Sequence, residues 1–154
     1  MLADILAALH ASPLAAALRG STWLYPLVNA GHIVGIALLF GAIASLDLRL
    51  MGAWRATPLA SLSRILAPVA AAGFAIAAAA GALLFIAKAP DYAASPLFQA
   101  KLLLIAAGLA NAAAYYALRR RAEGMPQPLQ RLFGALSLCT WLGVIVLGRL
   151  VGYF

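Results

Sequence analysis

Only four acidic residues occur in this chain, Asp4, Asp47, Asp91 and Glu123, and each falls at a helix edge or in a loop. They divide between the two ends of the apolar runs, so no pair of carboxylates is set up for acid–base hydrolysis. No Ser/His/Asp or Cys/His nucleophile set accompanies them. The single cysteine, Cys139, lies inside an apolar run, which excludes an intrachain disulfide framework. HxxxH, CxxC and HExxH spacings are missing and only two histidines are present, so a closed structural metal site has no support. Charged residues make up 10% of the chain, where a soluble domain carries about a quarter.

What fills the chain instead is hydrocarbon. It is 66% hydrophobic with a mean hydropathy of +0.99. Apolar runs cover roughly 24–46, 62–87, 97–118 and 132–152, and the charges that enter them, Arg64, Lys101 and Arg149, all lie near an end. Each reaches the ~20 residues a helix needs to cross a bilayer. A soluble helical core would alternate such runs with polar faces, and these have almost none. The expected fold is all-α: an integral-membrane four-helix up-down bundle forming one transmembrane domain over residues 1–154. Its spans are expected at about 26–48, 62–87, 97–118 and 132–152. The short outer loop over 88–96 predicts that helices two and three are antiparallel neighbours.

A short interfacial helix is expected within residues 2–19. Leu2, Ile5, Leu6 and Leu9 share one helical face, and Pro13 after Ser12 stops the helix or restarts it. Asp4 occupies the place of a basic n-region, so the segment reads as retained, not as a signal peptide. Trp23 and Tyr25 suit an anchor at headgroup level.

The formal net charge of +7 is distributed unevenly. Seven basic residues, Arg49, Arg55, Arg64, Arg119, Arg120, Arg121 and Arg131, belong to the two loops at one end, against Arg19, Lys88, Lys101 and Arg149 at the other. The positive-inside rule puts the arginine-rich loops in the cytoplasm and both termini on the periplasmic side. The arginines are expected to meet anionic lipid heads; the lipid bilayer is thus the first partner, with no nucleic acid.

The polar residues inside the spans are the candidates for function. His32 lies about 9 Å into helix one, in the expected outer leaflet, with Asn29 and Gly35 on its face. Three readings compete: a core histidine donating to a backbone carbonyl or to Asn111, a haem or metal ligand, and a proton-handling or quinone-contacting group. His10 is the only second imidazole, on the same side. Lys101, one turn into helix three, suits a haem propionate, a quinone head or an anionic substrate. Asn111 needs a partner in hydrocarbon, with Asn29 or His32 as options if helices one and three touch. Asp47 and Arg49 close helix one. Asp47 is expected to pair with Arg119 or Arg120 and so fix helix one against helix three, while Arg49 snorkels to lipid or caps helix carbonyls. That role is architectural, not catalytic. Trp141, mid-span in helix four, suits lipid, core or a ligand pocket.

The stretch YPLVNAGHIVGIALLFGAIASLDLRLMG, with its His-x-x-Gly run and Asp-Leu-Arg-Leu close, resembles a family of short bacterial inner-membrane proteins of unknown function. SPLFQAKLLLIAAGLANA is similar to that family's third-helix segment. On this resemblance, which covers about 23–118, His32, Asp47, Arg49, Lys101 and Asn111 match the family's polar positions, and the location implied is the bacterial inner membrane. More distantly, helix one resembles those of four-helix membrane b-type cytochromes and copper-resistance membrane proteins. Those carry histidines on several helices; here a haem would rest on His32 alone or be shared by two protomers. The functional expectation is a redox-associated subunit holding haem b or a quinone in the outer leaflet, with His32 on the cofactor, Lys101 at its edge and Asn111 orienting His32. A small-solute or ion transporter and a structural accessory subunit of a membrane complex are the alternatives. A homo-oligomer or a partner membrane subunit fits any of the three.

Overall fold

The computed structural model describes residues 1–121 and 125–153, with side chains for all of these except Leu2 and Arg121; Glu123, counted above among the acids, lies outside it. The described chain is helical almost throughout: α1 (Leu2–Ala11), α2 (Pro13–Gly20), α3 (Leu24–Met51), α4 (Leu59–Ala87), α5 (Ala89–Ala94), α6 (Pro96–Arg121) and α7 (Gln127–Leu150). Four of these, α3, α4, α6 and α7, are long and apolar enough to cross a membrane, which makes this a multi-pass membrane protein. α4 and α7 begin earlier than hydropathy alone predicts. Pro58 and Pro126 stand at their N-caps in extended backbone (ψ 130° and 139°), so each helix starts directly after its proline, a few residues before the apolar run.

Local chemistry fixes the ends. Ser12 breaks the N-terminal segment in two: its hydroxyl donates to the Leu9 carbonyl at 2.6 Å and accepts from the Ala15 amide at 3.2 Å. α3 stops at Gly52, where a φ of 114° suits only glycine and turns the amides of Gly52 and Ala53 back onto the Leu48 carbonyl. α1 and α2 then cover the end of the bundle that carries both termini. Ala15 and Leu18 are fully buried there, and Arg19 donates to the Ala87 carbonyl at 3.0 Å.

Packing between the spans depends on absent side chains. Lipid gives helices no hydrophobic reason to associate, so they join where small residues let backbones meet. α3 and α4 cross at Gly35 and Gly73: a Cβ on Gly35 would lie 2.5 Å from the Ala77 nitrogen, and one on Gly73 2.5 Å from the Leu39 nitrogen. Gly134 serves α7 in the same way, since its Cβ would come 2.8 Å from the Asp47 carbonyl. Gly108 of α6 makes room for the Trp141 indole of α7, 3.1 Å from its would-be Cβ. The resulting order across the bundle is α4–α3–α7–α6.

Two expectations are corrected by this order. α4 and α6 are not close neighbours despite their short connection: none of their Cα atoms approach within 8 Å, and the same holds for α3 and α6. The connection is a further helix, α5, held by the stacked rings of Phe85, Tyr92 and Phe98 with centroids 5.4 and 5.5 Å from Phe98. Burial pushes the Tyr92 hydroxyl up to about 12, so this stack stays neutral. With α4 drawn onto α3 and α6 onto α7, a seam opens between α4 and α6.

Gly35→Ala and Gly73→Ala should each lower the thermal unfolding midpoint in mild detergent, at a cost of about 1–3 kcal/mol. Gly41→Ala, whose added methyl would meet nothing within 4 Å, should leave it unchanged. Equal midpoints for all three would show that the crossing is not where α3 and α4 are held.

Candidate functional site

The seam leads into a cavity of about 380 Å³ in the arginine-rich half of the bundle. α3 and α7 form its back wall, α4 and α6 its sides. Apolar residues dominate the lining: Leu39, Ile43 and Leu46 from α3, Ala67, Ala70 and Phe74 from α4, Leu109 from α6, and Phe133 from α7. Set into this surface are Asp47, Asn111, Tyr115, Ser137 and Trp141, with Ser63 and Arg119 contributed by the helices that flank the opening.

Asp47 is the unusual member. It is only 5% exposed, and its Oδ2 is a fully buried atom with no hydrogen-bond partner. The neighbouring polar group is Ser137, itself 8% exposed. A carboxyl group removed from water costs several kcal/mol unless its oxygens find donors (roughly 1–3 kcal/mol even for an ordinary unpaired polar group). Gly134 makes this placement unavoidable, because it brings α7 onto the Asp47 backbone itself.

Trp141 is 5% exposed and belongs to the core with Leu39 and Val144, packed by Phe40, Phe74 and Leu104 among others. One edge of it reaches the cavity. Tyr115 packs edge-on against Phe133 with ring centroids 5.8 Å apart, which fixes the α6 side of the wall.

Of the residues expected to form an outer site, Lys101 comes near His32 and the others are dispersed. His32 donates from Nδ1 to the Ala77 carbonyl at 2.7 Å, since a carbonyl can only accept, and its ring lies on Gly81, 3.0 Å from where a Cβ would be. It thus ties α3 to α4. Lys101 lies across the would-be Cβ of Gly148 on α7, 3.2 Å from its amine, and is the charged neighbour of His32. Asn111 neither touches nor orients His32: it sits in the other half of the bundle and donates to the Phe133 carbonyl at 3.2 Å. Asn29 is exposed on the first turns of α3. His10 does not approach His32 either, because Arg19 holds it, donating to its Nδ1 at 3.2 Å and to its carbonyl at 3.0 Å.

At the arginine-rich end, Asp47 forms no ion pair with Arg119 or Arg120. The one ion pair among the described residues joins the N-terminal amine to Asp4. Asp47 lines the cavity, and α3 and α6 are on opposite sides of α7, so no anchor between them exists; Arg120 is exposed. Arg49 donates to the Thr57 carbonyl at 2.7 Å, closing the loop after α3. Ser137 was not singled out by the sequence. The signal for it is the spacing Gly134, Ser137, Trp141, one face of α7, opposite Asn111, Tyr115, Arg119, one face of α6.

No family model matches the chain, and no curated protein or solved structure matches it.

Two substitutions separate scaffold from site. His32→Ala should lower the unfolding midpoint, by about 0.5–2 kcal/mol for a lost interhelical hydrogen bond. Asp47→Leu should leave the midpoint at or above wild type, by up to about 1–3 kcal/mol, because it removes an unpartnered buried group. A clear fall with Asp47→Leu would mark Asp47 as an anchor after all.

Proposed function

We propose that this chain binds a membrane-soluble ligand with an apolar body and a hydrogen-bond-donating head, of the quinol class, taken sideways from the bilayer between α4 and α6. The observation that carries it is the Asp47 Oδ2, buried and without a donor beside a mostly apolar cavity that Asp47 lines. An oxygen so placed favours a ligand that brings an O–H or N–H. A quinol brings two phenolic hydroxyls on a flat ring, and Trp141, Tyr115 and Phe133 offer aromatic surface beside them. About 380 Å³ suits a single-ring head, being at the lower end of small-ligand cavities, with the tail left in lipid. Asn111 spends one amide hydrogen on Phe133; a second hydrogen and its oxygen remain for a ligand.

Haem suits these residues poorly. His32, whose Nδ1 donates to the Ala77 carbonyl, offers only Nε2 as a ligand, and the second imidazole, His10, is engaged by Arg19, so no bis-histidine pair forms within one chain. Against a transport path, the cavity is confined to one half of the bundle, ending at Leu39 and Trp141 where the α3–α4 crossing closes the way. Holding a lipid-soluble ligand for a partner membrane subunit unites the quinone and accessory expectations. It also keeps the inner membrane as the setting that the resemblance implies.

The test is ligand-induced thermal stabilisation of the purified protein with decylubiquinol and with its dimethyl ether, which lacks the donors. Saturable stabilisation by the quinol is expected, with apparent affinity about tenfold weaker for the ether, and about tenfold weaker for the quinol with Asp47→Leu. Equal affinities for quinol and ether, or an unaffected Leu variant, would exclude Asp47 as the group that recognises the head.

A further inference from the structure

A second concavity of about 300 Å³ lies at the arginine-rich end, on the other side of the last turn of α3, lined by Arg49, Gly52, Arg55, Gln127 and Arg131. It is distinct in chemistry from the apolar groove. Three guanidinium groups, from α3, the turn after it and α7, converge on it, and no acid among the described residues pairs with any of them.

The backbone is bent to bring them together. Gly52 at φ 114° and Trp54 at φ 47° are the two positive-φ residues of the described chain, within one short turn. For tryptophan that conformation is unfavourable. Its effect is to return the chain so that the Arg55 side chain folds over Gly52, with its terminal nitrogen 3.5 Å from where a Cβ would be. There Arg55 donates from Nε to the Gly52 carbonyl at 3.3 Å, while Arg49 donates from Nε to Thr57 at 2.7 Å. Both side chains are thereby held by their Nε at the concavity they line. Gln127 is fixed too, through its donation to the Leu50 carbonyl at 3.0 Å, which ties the start of α7 to the end of α3. Arg131 stands one turn further along α7, and the positive end of that helix adds to the same field.

Three like charges brought to one concavity by α3, the turn after it and α7 form a receptor for a tetrahedral oxyanion. We infer that Arg49, Arg55 and Arg131 bind a phosphate group, either a lipid phosphodiester at the membrane surface or a free phosphate from the aqueous side. Loops carrying arginines only as a topology signal would spread them into water, apart from one another.

The experiment uses the full chain in a neutral detergent, following thermal stabilisation by dioctanoyl phosphatidylglycerol and by inorganic phosphate, at ionic strength matched with chloride. Wild type is compared with Arg55→Gln, Arg131→Gln and Arg64→Gln, the last an arginine of the same end outside the cavity. The expected result is saturable stabilisation, weakened about tenfold by each cavity substitution and unchanged by Arg64→Gln. A response to phosphatidylglycerol alone identifies a lipid headgroup as the source; a response to inorganic phosphate as well identifies an aqueous anion. No saturable response to either probe, or equal loss with Arg64→Gln, overturns the inference.

Discussion

The contact between Gly35 and Gly73 decides the rest of this molecule. In hydrocarbon, apolar side chains gain nothing by leaving lipid for each other, so association must come from close packing and from polar groups that lipid cannot satisfy. Two glycines facing each other allow backbone to touch backbone, and α4 is committed to α3 along that line. Glycines at Gly134 and Gly108 commit α7 to α3 and α6 to α7. Three strong pairings among four helices leave the fourth edge, α4 against α6, without one. The groove follows from where glycines stand as much as from what lines it.

Polar groups inside the spans then fall into two kinds. His32 and Asn111 each reach a backbone carbonyl on a neighbouring helix, at 2.7 and 3.2 Å. Their cost of burial is offset and they serve as ties between helices. Asp47 differs, since its Oδ2 is buried beside the cavity without a donor. A scaffold gains nothing from such a group, whereas a binding site does, because a ligand that supplies the missing donor recovers the desolvation cost.

The sequence made the spans legible because length and apolarity alone select them. Helix order was not legible. α4 is so rich in alanine and glycine that every face looks alike, and nothing in residues 88–96 distinguishes a tight turn from the short helix that separates α4 from α6. His32 stood out as a lone imidazole in hydrocarbon, yet whether it finds a carbonyl depends on a residue forty-five positions away. Asp47, four residues before the helix stops, reads from the sequence as an ion-pair anchor for the third span. Only the packing of α7 at Gly134 turns that end inward. The polar faces of α6 and α7 were present in the spacing of Asn111, Tyr115 and Arg119 and of Ser137 and Trp141, but they meaningfully combine only once those helices are known to pair.

The most direct test of the open seam is cysteine cross-linking between its walls, in membranes and in a Cys139→Ser background. Ala71 of α4 and Ala112 of α6 both line the groove. A disulfide requires Cα atoms within about 7 Å, and no Cα pair between these helices comes within 8 Å. The Ala71→Cys/Ala112→Cys pair should resist oxidation to a disulfide yet be bridged by a longer bis-maleimide, while Leu104→Cys/Gly143→Cys between α6 and α7 should oxidise readily. Rapid disulfide formation between positions 71 and 112 would mean that the helices close on each other, and that Asp47 has no route to the membrane.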